Sequence, residues 1–390
     1  MILTPKSFLE YIDPIKCTYK EFRENSKTYE GEYLMDVFKK NKDRSKIMKS
    51  LYNIFVKQNV NFIYMFFDNM FEVPNDIKNH LLIPSSAVNT IDYDKRIIHG
   101  TSKLHLKKFI RNLHFDEMML STFNNNINIC DIIKHSTCDY IFSKYISRPY
   151  ILDKILKIQD LSKTSRTEYS NLIDQFKRCY FIPSVLCPYT VYAILQDLFP
   201  NVLNKRENLK LFTPAMSWNS FLIAFLNTNE KMWSEYVGTD VMPNLKEKSK
   251  FMIELFDKRN ITLYDIPSED ILFNKYFKKY SSNYFDVILF CPPYYNLEIY
   301  PGNKQSTSRY KDYKSWLHGY WDGTVMMCYE TLKDDGLLSY IVSDSLKNVK
   351  TLVVDMMDVT LSNGFVYHNK FQIRWKNHSE YLFVFKKLSF

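Results

Sequence analysis

The second half of the chain alternates between two hydrophobic periods, and this restricts its fold more than any other feature. Five short apolar runs stand at 209–214 (LKLFTP), 235–240 (EYVGTD), 260–265 (NITLYD), 285–290 (FDVILF) and 336–342 (GLLSYIV), separated by stretches of helical pattern. Runs of strand length alternating with helical segments predict successive βαβ units, hence an α/β domain built on a mostly parallel sheet. The ending is different. GFVYHNKFQIRW and SEYLFVFKK read as two strands joined by a KNH turn, an antiparallel hairpin that closes the sheet.

A chain of 390 residues with 46% hydrophobic content buries at least one full core and has room for two domains. From Glu32 to Phe71 apolar residues recur three and four apart between Lys/Arg clusters, and helical pattern continues to about residue 165. The polar stretch DLSKTSRTEYSN, 160–171, is the boundary. The expectation is a mainly helical domain at 1–165, for nucleic acid or a partner, followed by the α/β domain at 166–390. No apolar run is long enough to cross a bilayer, and the first residues carry acids and a proline where a secretory signal needs a basic start. An intracellular place, cytoplasmic or nuclear, is expected. The seven cysteines show no metal-ligand spacing, so no metal site is expected.

The run FDVILF breaks on Cys291, Pro292, Pro293 and Tyr294. In an open α/β sheet, ligands bind outside the carboxyl ends of the strands, so this corner falls where chemistry is expected. Two prolines fix φ twice and remove two N–H donors, leaving carbonyl acceptors without competing donors beside them. An exocyclic amino group of adenine or cytosine offers its two hydrogens to such acceptors, here the Pro292 carbonyl and the side chain at 291. Tyr294 would stack on a base that has been drawn out of its duplex.

CPPYYNLEIY resembles the (Asp/Asn/Ser)-Pro-Pro-(Tyr/Phe/Trp) motif of the amino-group DNA methyltransferases. Gln305, Ser306, Tyr310 and Trp316 follow in the order found in phage and large-DNA-virus members. The resemblance covers roughly residue 175 to the end and implies a class I, Rossmann-like methyltransferase sheet with S-adenosylmethionine as cofactor. It places Asp240 on the ribose hydroxyls and Glu269 or Asp270 on the adenine amino group. The segment RCYFIPSVLCPYTVYAIL, with Pro183 and Ser184 at its corner, would pack on the methionine moiety. LFTPAMSWNSFLIAFL aligns with the family's Asp-Pro-x-x-Gly-x-Gly loop and would line the cofactor through Thr213, Pro214, Ala215, Ser217 and Asn219. Two departures stand out. Cys291 replaces a stronger acceptor, and Ser217 and Asn219 replace glycines while Thr213 replaces an acid.

The formal charge is +9, with 26 basic against 20 acidic residues in the first 170. This suits a nucleic-acid partner, since each Lys or Arg on a phosphate releases counterions. Phosphate contacts are expected from Lys103, Lys107, Lys108 and Arg111, and from Lys304, Gln305, Arg309 and Lys311 in the loop after the corner; the competing reading of the basic runs is a solvated helix face. The first functional reading is methyl transfer to adenine N6, favoured over cytosine N4, in DNA. The alternatives are a fold that has lost its cofactor and serves as a nucleic-acid-binding or scaffold subunit, and RNA as substrate. A partner subunit or a homodimer stays open.

Overall fold

The computed structural model describes residues 183–388 except 206, 257–258, 345–348 and 376–378, together with 76–84, 91–100, 105–114, 117–118, 121–123, 18–21, 49 and 52. Chain contacts divide the protein into two units, 1–73 with 118–183, and 74–117 with 184–390. A segment of the N-terminal half therefore belongs to the same unit as the sheet. In the first unit, Thr18 and Glu21 cap one another reciprocally: Thr18 N donates to Glu21 Oε2 at 2.8 Å and Glu21 N to Thr18 Oγ1 at 3.2 Å.

The second unit is built on a nine-stranded sheet. Its strands are β1 (Ile91–Asp92), β2 (Ile97–His99), β3 (Leu209–Thr213), β4 (Trp233–Thr239), β5 (Ile261–Tyr264), β6 (Phe285–Phe290), β7 (Leu332–Val342), β8 (Phe365–Arg374) and β9 (Ser379–Lys387). Their order across the sheet is β1-β2-β8-β9-β7-β6-β3-β4-β5. Strands β3 to β7 pair in parallel, β9 runs antiparallel to both its neighbours, and β8 is parallel to β2. Six parallel strands, β3 to β7 and β8, with the antiparallel β9 inserted between β7 and β8 make the class I, Rossmann-like methyltransferase sheet. The seven strand runs of the α/β half all form. The small β1–β2 ribbon was not expected: strands of two and three residues are too short to carry a period.

Chain order and sheet order together place the site. From β3 the chain steps outward to β4 and β5, then returns to the other side of β3 for β6 and β7. Right-handed crossovers in opposite directions put their helices on opposite faces and open a crevice at the strand ends between β3 and β6. The helices accordingly fall into two contact groups. One contains α1 (Pro188–Ala193), α2 (Ser220–Leu226) and α3 (Leu245–Leu255); the other contains the 3₁₀ turn Ser268–Phe273, α4 (Asp322–Thr331) and α5 (Leu352–Ser362). With helices on both faces, every residue of β6 is buried, which explains its nearly unbroken apolar run. Its one charge, Asp286, is held by Lys205 Nζ at 2.8 Å and Lys333 Nζ at 2.9 Å.

Candidate functional site

The crevice is lined by the loop after β3, the strand ends of β4 and β5, and the corner after β6. At the corner, Cys291 Sγ lies 3.9 Å from the Tyr294 hydroxyl, which is 3.4 Å from both the Ile341 carbonyl and Glu380 Oε1. The Tyr294 side chain is thus tethered across the ends of β7 and β9. Burial pushes the Cys291 thiol up, and the nearby Glu380 and Glu298 carboxylates push it further, so it stays protonated. Pro292 is buried and Pro293 half-buried. Tyr295 takes a left-handed backbone, φ 50°, which turns the chain toward Leu297 N, bonded to the Tyr294 carbonyl at 3.1 Å.

Sequence reasoning missed the acid beside this corner. Glu298 Oε1 accepts from Ser184 N at 3.3 Å and Ser184 Oγ at 3.2 Å, while the Tyr300 hydroxyl donates to Oε2. Burial raises the Glu298 carboxyl, and the Tyr300 and Ser184 hydrogen bonds oppose that rise. Ser184 was singled out with Pro183; its bond to Glu298 ties the start of the 184–187 segment to the corner. Pro183 itself is buried and belongs to the other unit.

In the loop after β3, Ser217, Trp218 and Asn219 all have positive φ, at 45°, 54° and 66°. The backbone thus adopts the conformation for which glycine is the easy choice, without any glycine present. The surroundings hold it there. Asn219 is buried: its Nδ2 lies 2.9 Å from His114 Nε2, and its Oδ1 lies 2.6 Å from the Ser249 hydroxyl. Since an amide N–H can only donate, His114 Nε2 is the acceptor and the ring proton sits on Nδ1, 4.0 Å from Glu117 Oε2. Lys248 Nζ holds that Glu117 oxygen at 2.7 Å. Burial, and secondly the Lys248 charge, hold the His114 imidazole well below its usual range. Trp218 is 4% exposed, with its ring 5.7 Å from the rings of both His114 and Tyr300. Thr213 is buried beside the Tyr236 hydroxyl, Pro214 is buried, and Ala215 and Ser217 are half-buried.

Asp240 follows β4 directly. Its Oδ2 accepts from Met216 N at 2.8 Å and its Oδ1 from Met242 N at 2.9 Å. Burial raises its carboxyl; the amides of Met242, Met216, Val241 and Ser217 pull the other way. The loop after β3 is therefore latched onto the end of β4. Gly238 allows the close approach this needs, because a Cβ there would come within 2.5 Å of Met216 Sδ. After β5, Arg309 bridges both candidate acids, with Nη1 2.5 Å from Glu269 Oε1 and Nη2 2.7 Å from Asp270 Oδ2. Burial lifts Glu269 to about 6 against the opposing pull of Arg309. Gly323 of α4 passes close to it, and a Cβ there would lie 2.9 Å from Glu269 Cβ.

The residues expected on phosphates are placed differently from one another. Lys311 is exposed. Lys304 Nζ lies 3.3 Å from Asp265 Oδ2, Arg309 is engaged as above, and Gln305 is buried with its Nε2 donating to the Pro301 carbonyl at 3.1 Å. On the helix His105–Leu113, Lys107, Lys108 and Arg111 are half-buried; the Lys107 ammonium lies 4.7 Å over the Trp375 ring. Lys103 lies outside the described residues.

The sequence matches no protein-family model and no curated relative. Among solved structures, the chain is similar to TrmN from Thermus thermophilus, at 12% identity over 52% of this chain and 49% of that one, with a TM-score of 0.36. It is also similar to an rRNA methylase from Streptococcus thermophilus, at 11% identity over 49% and 95%, TM-score 0.33. A third is the N-methyltransferase NodS from Bradyrhizobium japonicum with S-adenosyl-L-homocysteine, at 11% identity over 51% and 88%, TM-score 0.34. The match to the first spans about half of that protein. At these scores the chain's own strand order, and not the likenesses, carries the fold.

Proposed function

We propose that the crevice between β3 and β6 takes S-adenosylmethionine and that the chain moves its methyl group to an exocyclic amino group of a nucleobase in DNA, adenine N6 ahead of cytosine N4. The observation that carries this reading is the Cys291–Tyr294 corner at the end of β6, where Pro292 and Pro293 bring no N–H, at the switch between β3 and β6. The donor chemistry fits the cofactor. Asp240 is the acid for ribose hydroxyls, Glu269 for an adenine amino group, and the left-handed loop after β3 presents backbone beside Asp240. Amides of the chain already draw on the Asp240 carboxylate, so ribose hydroxyls would share its oxygens with them. Bound there, S-adenosylmethionine supplies a methyl group on a sulfonium, an electrophile that needs no nucleophile from the protein. The chain's own work is positioning. Carbonyls of the corner receive the amino hydrogens, the tethered Tyr294 ring offers a face to the extruded base, and the protonated Cys291 contributes only a weak acceptor.

The test is transfer from labelled cofactor to double-stranded DNA, single-stranded DNA and RNA, followed by nucleoside analysis. Methylated adenine or cytosine in DNA is expected, and Cys291→Asn should transfer as fast as the parent or up to about fivefold faster, one net hydrogen bond. Methylation confined to RNA, or a dead Cys291→Asn enzyme, would contradict the assignment.

A second reading has its own support. Trp218 is buried between His114 and Tyr300, and Met216 fills the space over Gly238. These favour a chain that keeps the sheet and its nucleic-acid partner without using the cofactor. Such a chain would transfer no methyl group to any of the substrates and bind no cofactor product.

A further inference from the structure

Beyond the crevice, the loop between the 268–273 turn and β6 has a composition of its own. From Ile271 to Tyr284 it carries no acid, three lysines and five aromatic residues. Its aromatic residues divide into two sets. Phe277 and Tyr280 are fully buried: Phe277 lies 5.5 Å from the ring of Phe212 and 5.5 Å from that of Tyr264, and the Tyr280 hydroxyl donates to Glu235 Oε1 at 3.2 Å. The Tyr264 hydroxyl adds a bond to the Tyr276 carbonyl at 3.0 Å. The other set points out. Phe273 is 86% and Tyr276 69% exposed, the two most exposed large apolar side chains among the described residues. Lys275, Lys278 and Lys279 are exposed beside them, and among the described residues no carboxylate pairs with any of the three.

We propose that Phe273 and Tyr276, with Lys275, Lys278 and Lys279, form a stacking platform for single-stranded nucleic acid, separate from the base-binding corner. The surface is held by its buried anchors, so the two rings are presented without the cost of ordering a loose loop. Every base has a π-face that stacks on an exposed ring, and a cationic groove follows the phosphates whatever the sequence; unpaired strands offer both, whereas a duplex offers only its backbone and groove edges. The Glu235 carboxylate at this end of β4 is buried and accepts from Tyr280 and from the Tyr284 hydroxyl at 2.6 Å; of the three lysines its charge is felt at Lys279. The loop starts beside Glu269 at the crevice and descends to Glu235. Asp240 stands five residue steps after Glu235, roughly 16 Å at strand spacing. The inference rests on the nucleic-acid reading of the chain and names a strand preference that the corner alone does not give.

The experiment is fluorescence anisotropy with the full chain, without cofactor, on a labelled single strand of about twenty nucleotides and on its duplex. The parent should bind the single strand more tightly than the duplex. Phe273→Ala with Tyr276→Ala should weaken the single strand by about tenfold or more and leave the duplex within about twofold. Lys275→Ala with Lys278→Ala and Lys279→Ala should reduce the salt slope on the single strand by about 2. Both variants change exposed side chains, and an unchanged thermal melt checks the fold. Equal binding by parent and variants overturns the platform, as does a parent that binds neither oligonucleotide. A dimer in sedimentation that the aromatic variant turns into monomer, with oligonucleotide binding unchanged, also overturns it and assigns the surface to a second copy. The methyl-transfer reading fails separately: platform binding with no transfer refutes that reading alone.

Discussion

His114, packed on the loop after β3, and Glu269, after β5, are buried titratable groups whose protonation pulls stability in opposite directions. The native His114 ring is held well below 6.5, while the unfolded imidazole titrates near 6.5. Below that pH the unfolded chain takes up a proton that the native chain refuses, so this contribution is complete above pH 6.5 and is lost as pH falls. Glu269 is raised to about 6 from 4.5, so the native state keeps its proton longer than the unfolded state does. Its contribution is complete below about pH 4.5 and declines as pH rises to about 6. Between pH 6 and 6.5 the His114 effect should dominate, and the thermal midpoint should drop as pH is lowered through that range. His114→Gln should flatten the drop. The same slope in parent and variant would place the titration elsewhere. The His114–Asn219 contact was not legible in the sequence, since the two are 105 residues apart and nothing in their spacing marks them as neighbours. Arg309 teaches a related point: its charge suggested a phosphate, but residue type does not reveal which carboxylates stand opposite, here Glu269 and Asp270.

At the scale of elements, the loop from Met216 to Asn219 sets two costs against each other. A left-handed backbone costs an L-residue roughly 1–2 kcal/mol, less for Asn, so Ser217 and Trp218 are strained. Ser217 is half-buried and its side chain carries no packing weight comparable to that of Trp218, so Ser217→Gly should stabilise by about 1 kcal/mol and tighten cofactor-product binding. Trp218→Gly relieves the same strain but removes a buried indole, a loss of about 3–5 kcal/mol, and should be net destabilising by about 2–4 kcal/mol. Chemical denaturation of the two variants checks the sign of each. A stabilising Trp218→Gly would show that the ring does not hold the loop. The strands of this half were legible because burial on both faces writes nearly unbroken apolar runs into β6 and the second half of β7. The loop conformation was not, because Asp240 and His114 impose it from outside against the local preference of Ser and Trp. The β1–β2 ribbon was illegible for a simpler reason, its strands being shorter than any period.

For the molecule as a whole, the proposed function depends on where the sheet changes direction. Strand order places the Cys291–Tyr294 corner and the β3 loop at one switch point, with Asp240 and Glu269 at the neighbouring strand ends, and the described unit recruits residues 74–117 to buttress that loop through His114 and Glu117. The corner, Asp240 and Glu269 were expected after strands from the sequence, and in the fold they follow β6, β4 and β5; Glu298 beside the corner was not foreseen. What the sequence did not give is how tightly the chain's own amides, Trp218 and Arg309 close around that space. The most direct measurement is calorimetric titration of the full chain with S-adenosylhomocysteine, alongside Asp240→Asn checked for a native melt. We expect one site with a Kd of about 10 μM, and at least about tenfold weaker binding in the variant. A cooperatively folded parent that gives no heat of binding at roughly a hundredfold higher ligand concentration would contradict the cofactor site, leaving the sheet as a nucleic-acid-binding scaffold.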